Sequence, residues 1–226
     1  MKISKRMQAQ KAKLEAGKVY PLAESIALVK DTSGVKFDAT IEVHVKLGID
    51  PKQSDQLVRA TVALPHGTGK SVKVAAFVPE DLVAEAKKAG ADIVGNKELI
   101  EEIKKTGKCD FAVAIATPDM MKDLSAIARI LGQKGLMPNP KTGTITTKVG
   151  QTVTELKAGK ISFKNDSFGN VHVVIGKVSF DPAKLTENFE AFAKALKSVK
   201  PEKMKGIYIK GIYLTSSMGP AIKVSL

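Results

Sequence analysis

Val72-Lys73-Val74-Ala75-Ala76-Phe77-Val78-Pro79-Glu80-Asp81-Leu82-Val83-Ala84-Glu85-Ala86-Lys87-Lys88-Ala89-Gly90 decides how the middle of this chain folds. Residues 72–78 are apolar almost without interruption, Lys73 excepted, so the strand they predict has no wet face. A helix over about 79–89 follows at once, ended by Gly90. The pattern then repeats. A short strand around Ile93 leads to a helix over about 96–105 ended by Gly107, and residues 111–116 are again apolar on both faces. Thr117-Pro118 reads as N-cap and first-turn proline of a further helix carrying Met121, Leu124, Ile127, Ala128 and Leu131. Short buried strands alternating with helices predict a parallel sheet covered on both faces.

Outward from this block the period changes to two. On the N-terminal side, Ala39, Ile41, Val43, Val45 and Leu47 alternate with Thr40, Glu42, His44 and Lys46, which predicts a half-buried strand with one wet face. Val58, Ala60, Val62 and Leu64 repeat the pattern. Before them come a basic helix over 4–16 closed by Gly17 and a short helix after Pro21 bearing Leu22, Ile26 and Val29. On the C-terminal side, Ile161 and Phe163 face Val171, Val173 and Ile175 across the turn 165–169, which predicts a hairpin. Asp181-Pro182 opens a helix with Leu185, Phe189, Phe192, Ala193 and Leu196 on one face, and Phe180 is placed to staple Leu185. Strands near 207–215 and 221–226 end the chain. The economical architecture is an α+β domain, residues 1–66 plus 160–226, split by an inserted three-layer, Rossmann-like α/β domain at 67–159. Glycines at the two crossings, Gly67, Gly69 and Gly159, suggest a hinge.

Charge narrows the partner. The net charge is +13, with 36 Lys+Arg against 23 Asp+Glu, which favours a polyanion. Residues 1–67 hold 11 basic against 7 acidic groups, and residues 159–226 hold 11 against 5. The flanks therefore carry +10 and the middle +3, from 14 against 11, so the split domain is the better candidate for phosphate contact. Hydrophobic residues at 43% support real cores. A lone cysteine, Cys109, permits no internal disulfide, and His44, His66 and His172 lack metal-ligand spacing. No apolar run approaches the ~18 residues of a membrane span, and no signal peptide is evident, so a cytoplasmic protein is expected. A membrane-surface or chaperone-like role lacks the amphipathic basic helix it needs.

His66-Gly67-Thr68-Gly69-Lys70-Ser71 invites a second reading, a P-loop-like nucleotide-binding protein. The pattern requires glycine five places before Gly69, where Leu64 stands, and a helix directly after the lysine, where an apolar strand is predicted. No catalytic constellation appears elsewhere. The loop Gly132-Gln133-Lys134-Gly135-Leu136-Met137-Pro138-Asn139-Pro140-Lys141-Thr142-Gly143-Thr144 is too rich in glycine and proline for regular structure, and long loops of this kind are functional or merely structural. Arg129, Lys134 and Lys141, in or beside it, could meet phosphate, and Lys134 and Lys141 are the loop's own candidates for that contact.

With Leu131 before it, the stretch 131–141 closely resembles the signature of the ribosomal protein L-one family of the large subunit. So does Ser216-Ser217-Met218-Gly219-Pro220. Residues 64–70 resemble the family's first crossing, and Lys36-Phe37-Asp38-Ala39-Thr40-Ile41-Glu42 its first RNA-facing strand. Ser217 stands where threonine is usual and Gln133 where proline is frequent. The resemblance implies a two-domain, hinged protein without catalysis, cofactor or metal. It would bind large-subunit rRNA as a mobile stalk beside the exit site and help deacylated tRNA leave. It would also repress its own operon's mRNA. The expected partners are the ribosome, these RNAs and no membrane, with the free protein a monomer.

On that basis Thr40 and Glu42 are expected to meet ribose or base edges, since a carboxylate accepts from the 2′-OH, and Lys36 and Lys46 to meet phosphate. Phe37 would stack or plug the core. Asp166, beside Lys164, would accept from an RNA amino group or serve its own turn. Thr215, Ser216, Ser217, Met218, Gly219 and Pro220 would form a close-approach surface, with flexible Met218 lying across a ribose or base.

Overall fold

The computed structural model describes residues 4–15, 17–202, 204 and 206–225. In chain order the helices are α1 (Lys5–Ala12), α2 (Leu22–Asp31), α3 (Glu80–Lys88), α4 (Lys97–Thr106), α5 (Met121–Leu124), α6 (Ala128–Gln133), α7 (Val149–Lys157) and α8 (Pro182–Ser198). The strands are β1 (Thr40–Leu47), β2 (Arg59–Ala63), β3 (Val74–Phe77), β4 (Ile93–Gly95), β5 (Val113–Ala116), β6 (Lys160–Lys164), β7 (Asn170–Lys177), β8 (Ile209–Ser216) and β9 (Ile222–Val224). The chain forms two compact units, Met1–Gly69 with Ile161–Leu226, and Lys70–Lys160.

The first unit is built on a four-stranded sheet of order β7-β1-β8-β9. Its three pairings are antiparallel. Strict alternation in β1 sends Ile41, Val43, Val45 and Leu47 to one face, where they are buried. That face packs with Ile26 and Val29 of α2 and Leu185, Phe189, Phe192 and Leu196 of α8. Burying a side chain of this size contributes about 1.5–3 kcal/mol, so this face dominates the unit's stability. The opposite face stays wet.

The second unit holds a parallel sheet of order β4-β3-β5. Ala75 and Phe77 of β3 face one core with Ile100 and Ile103 of α4, Leu124 of α5 and Leu131 of α6. Val74 and Ala76 face the other with Ala86 of α3 and Val149 and Val153 of α7. All four β3 residues are buried, the outcome expected of a strand covered on both faces.

Several expectations are corrected. The hairpin expected of β6 and β7 is reduced to its turn: one antiparallel bridge, Asn165 to Val171, joins them there, but β7 joins β1 while β6 pairs with β2 in a separate two-stranded sheet. Asn165 is the cause. Its side-chain oxygen accepts from Val58 N–H at 2.8 Å and its own N–H donates to Val58 carbonyl at 3.0 Å, tying β6 to the start of β2. The helix expected after Thr117 is broken into α5, a 3₁₀ turn over Ser125–Ile127 and α6. Thr117 is no N-cap, because its buried hydroxyl has no hydrogen-bond partner. Helix α1 stops at Ala12, and Lys13 provides its C-cap; Ala16, to which that helix was expected to run, lies outside the described residues, as does Leu226. Strand β8 starts at Ile209, leaving Ile207 exposed.

Candidate nucleic-acid interface

The wet face of the four-stranded sheet carries Thr40, Glu42, His44 and Lys46 in one row. Cross-strand register aligns Lys177, Val174, His172 and Asn170 beside them on β7, and Thr215, Tyr213 and Gly211 on β8. Lys223 of β9 lies opposite Tyr213. The six steps from Thr40 to Lys46 span about 20 Å of strand, so the predicted residues fall at two ends of one face.

At the first end, the loop after β8 is clamped onto the start of β1. Ser217 N–H donates to Thr40 carbonyl at 2.9 Å, and Thr40 N–H donates to Ser217 Oγ at 3.3 Å. Gly219 N–H donates to Ser216 carbonyl at 2.8 Å, closing the turn. A Cβ on Gly219 would crowd Ser216 Oγ, which would have to rotate to admit it. Met218 adopts φ +62°, the one non-glycine positive φ among the described residues, and its side chain is 69% exposed. Arg6 of α1 reaches across to donate to Met218 carbonyl at 3.3 Å and Gly34 carbonyl at 3.5 Å. Phe37, just before β1, is 58% exposed and so does not plug the core. Its loop is anchored by Asp38, whose carboxylate accepts from Ser179 N–H and Oγ–H and pairs with Lys177 at 3.5 Å. Ser216 is a correction: alternation along β8 turns it to the core face, buried and out of reach of a ligand. Pro220 is buried too, and the Thr215 hydroxyl is spent on Ser216 carbonyl at 3.1 Å.

At the second end Lys46 Nζ donates to Phe168 carbonyl at 2.6 Å. Asp166 accepts from Phe168 N–H, Asn170 N–H and Asn170 Nδ2 at 2.7–2.9 Å, and its Oδ2 lies 3.4 Å from His172 Nε2. Burial alone raises the Asp166 pKa, but these hydrogen bonds outweigh it and hold the carboxyl well below the usual range. Four groups from three residues fill its acceptor capacity, so Asp166 orders the turn rather than offering free lone pairs. Lys164 ends β6, exposed, one residue before Asn165.

Between the ends sits a pair absent from the expectations. His44 Nδ1 and His172 Nδ1 are 2.8 Å apart, with ring centroids at 5.0 Å. Burial and then the neighbouring His172 push the His44 pKa below its ordinary value, against a smaller upward pull from Glu42. The sequence placed His44 on the wet face but contained no sign of which β7 residue would meet it. Tyr213 and Arg6 were also missed. The period-two pattern through Tyr213 and Thr215 was the available signal for the first.

Of the loop lysines in the second unit, Lys134 Nζ donates to Gly107 carbonyl at 3.0 Å, the exposed C-terminal end of α4. The Lys141 N–H donates to Asn139 Oδ1 at 2.8 Å, leaving its side chain exposed. The crossing glycines Gly67, Gly69 and Gly159 all have positive φ. Gly67 and Gly69 are held by the first unit, however. Asn188 Nδ2 donates to Gly67 carbonyl at 2.9 Å, and a Cβ on Gly69 would come within about 3.0 Å of the Phe180 ring. Downstream of Lys70 the chain enters β3 and not a helix, so no helix N-terminus faces the would-be phosphate loop. Among the described residues no cluster suits a metal ion, and no helix is long and apolar enough to cross a membrane.

The Ribosomal protein L1p/L10e family matches residues 29–220. The large ribosomal subunit protein uL1 of Corynebacterium diphtheriae is 50% identical over 221 residues, 98% of this chain and 94% of that protein. Its counterpart in Thermobifida fusca is 49% identical over 224 residues, 99% of this chain and 95% of the relative. That of Mycoplasma capricolum is 50% identical over 223 residues, 99% and 98% respectively. The matched stretch takes in the wet strand β1 and the loop clamped onto it, and on this evidence the chain belongs to the Ribosomal protein L1p/L10e family.

Proposed function

We propose that this chain is a constituent of the large ribosomal subunit that binds large-subunit rRNA through the split α+β domain. Its family is structural and not enzymatic, so the face has a shape to match rather than a reaction to perform. The observation that carries the reading is the loop 216–219 stapled to Thr40, which presents Met218 and Phe37 outward beside a row of hydroxyl, carboxylate and lysine groups. Such a surface suits a folded RNA: close backbone approach, ribose 2′-OH groups for Glu42 and Thr40, and phosphates for Lys36, Lys46 and Lys164. Glycine, hydroxyls and a thioether take the place of base-reading arginines.

The middle domain is the mobile part of a stalk beside the exit site, moving about a hinge that begins after Gly69 and ends at Gly159, and assisting release of deacylated tRNA. Lys141 is its better RNA-contact candidate, since Lys134 already caps α4. Binding of the same face to a similar fold in the operon's own mRNA gives repression. These roles rest on the family resemblance.

The test is retention of labelled large-subunit rRNA, against small-subunit rRNA, on filters at moderate salt. Preference for the former by at least a hundredfold is expected, and Met218→Asp is expected to weaken it about tenfold or more, the size of one lost specific contact of ~1–3 kcal/mol. Equal retention of both RNAs would remove the reading.

A further inference from the structure

Beside the 216–220 loop lies a cleft of about 550 Å³ between α1, the Gly17–Tyr20 segment and strands β8 and β9. Nothing in the function proposed above uses it. We infer that this cleft is a nucleotide subsite that takes one unpaired nucleotide of the bound RNA, base against Tyr213 and phosphate against Lys11 and Lys223. The inference rests on the RNA-binding reading and extends it to a particular conformation of the ligand.

The cleft is preformed. Tyr20 N–H donates to Lys223 carbonyl and Ser225 N–H donates to Tyr20 carbonyl, both at 2.9 Å, stitching the segment to β9. The Tyr20 hydroxyl accepts from Glu15 N–H at 2.9 Å, which fixes the wall on the α1 side. Its volume is within the roughly 300–1,000 Å³ range of small-molecule sites, enough for a nucleoside monophosphate. The interior is apolar, with Leu14, Tyr20, Pro220 and Ile222, and Tyr213 forms one wall. Tyr213 is 36% exposed, and a Cβ on Gly211 would come within 3.3 Å of its ring, so the strand has made room for that ring to lie along it.

The rim chooses the ligand class. Lys11, Lys18 and Lys223 line the cleft against one acid, Glu15. Glu15 is already paired with Lys18 at 2.8 Å, and Lys18 sits 5.1 Å over the Tyr20 ring. Neither Lys11 nor Lys223 is paired with a carboxylate among the described residues. Two free cations flanking an aromatic wall and an apolar floor fit a base with its phosphate, because every base offers a π-face whatever its sequence. Pro220, two residues on from Met218, lines the cleft, which places it beside the loop proposed to carry the RNA.

The chain has three tyrosines, Tyr20, Tyr208 and Tyr213, so 3-fluorotyrosine labelling gives three ¹⁹F reporters, assigned with Tyr213→Leu. Titration of the whole protein with a single-stranded adenosine hexaribonucleotide is expected to shift the Tyr213 resonance. Hexaglutamate at equal charge is expected not to, and Lys11→Gln with Lys223→Gln is expected to abolish the shift. On filters Tyr213→Leu is expected to weaken large-subunit rRNA binding about tenfold, the scale of one base–aromatic stack. An unmoved Tyr213 resonance in a protein that still retains the rRNA overturns the cleft alone. An equal response to hexaglutamate also overturns it, because charge would then be sufficient. Failure of the unaltered protein to retain the rRNA removes the RNA-binding reading and the cleft with it.

Discussion

Met218 combines an uncomfortable backbone with an exposed apolar side chain. An L-residue in the left-handed region costs about 1–2 kcal/mol, and glycine would hold that φ without the cost. The conformation persists because both sides are fastened: Ser217 N–H to Thr40, Gly219 N–H to Ser216, and Arg6 onto Met218 carbonyl. Strain kept in this way marks a side chain that is wanted where it points. Met218→Gly is therefore expected to leave the urea midpoint unchanged or slightly higher, strain relief offsetting the added freedom of the unfolded chain, while rRNA affinity falls about tenfold. A parallel loss of stability and binding would instead make Met218 a packing residue. His44 and His172 supply a second residue-scale prediction. One Nδ1 must donate and the other accept, so the contact at 2.8 Å does not survive protonation of both rings. His44 has a folded pKa depressed by burial and by His172, so the unfolded chain takes up the proton first. Its stabilising contribution is complete above the unfolded value of about 6.5 and is lost as pH falls from there through the lower folded value. Urea midpoints at pH 7.5 and 5.5 are expected to differ in the unaltered protein and to differ less in His44→Gln.

At the scale of elements, the crossing into the second unit is governed by α8. Asn188 is fully buried, and its Nδ2 donates to Ile175 carbonyl at 2.7 Å and Gly67 carbonyl at 2.9 Å while its Oδ1 accepts from His66 N–H at 3.1 Å. Asn188→Ala removes the partner of three backbone groups, of which the Ile175 carbonyl is buried and those of His66 and Gly67 are partly open to water, and urea denaturation is expected to show a loss of about 1–3 kcal/mol, the cost of one buried orphan. An effect under 0.5 kcal/mol would mean that water already serves these groups. The sequence made β1 and β3 plain because each satisfies a local rule, alternation in one and an unbroken apolar run in the other. It showed β6 as a strand but hid its partner, since β6 alternates like a hairpin partner of β7 yet pairs with β2, where Asn165 bonds Val58 107 residues away. Periodicity has no information about partners at such separation. Helix α7 was legible and overlooked: Val149, Val153 and Leu156 stand at i, i+4 and i+7 and are buried. The wet strand was legible from its alternation, whereas the 216–220 loop was singled out by the family resemblance, and Ser216 was counted as a contact because the loop's end was read without the phase of β8.

For the whole molecule, the two units own separate cores. The first unit's core draws on residues 20–64 and 163–224, and the two cores of the second unit draw on residues within 70–160. Val58, just before β2, is bonded to Asn165, just after β6, so the start of one strand lies beside the end of the other and the pair runs antiparallel. The end of β2 and the start of β6 are therefore neighbouring points of the first unit, so a chain that leaves after Gly69 and returns at Ile161 need not distort it. Joining Gly69 directly to Ile161 keeps the Asn188 and Phe180 contacts of residues 66–69 and leaves several residues of slack. That shortened chain is expected to unfold in one cooperative transition and to bind large-subunit rRNA within a few-fold of the full protein. The salt slope should also survive, since residues 1–69 and 161–226 hold 21 of the 36 basic groups and all of the face proposed to meet phosphate. Log affinity against log salt is expected to keep its gradient to within about one unit, roughly one phosphate contact. A chain that folds but has lost most of that gradient would assign the phosphate contacts to residues 70–160, and the division of labour between the two units would have to be reversed.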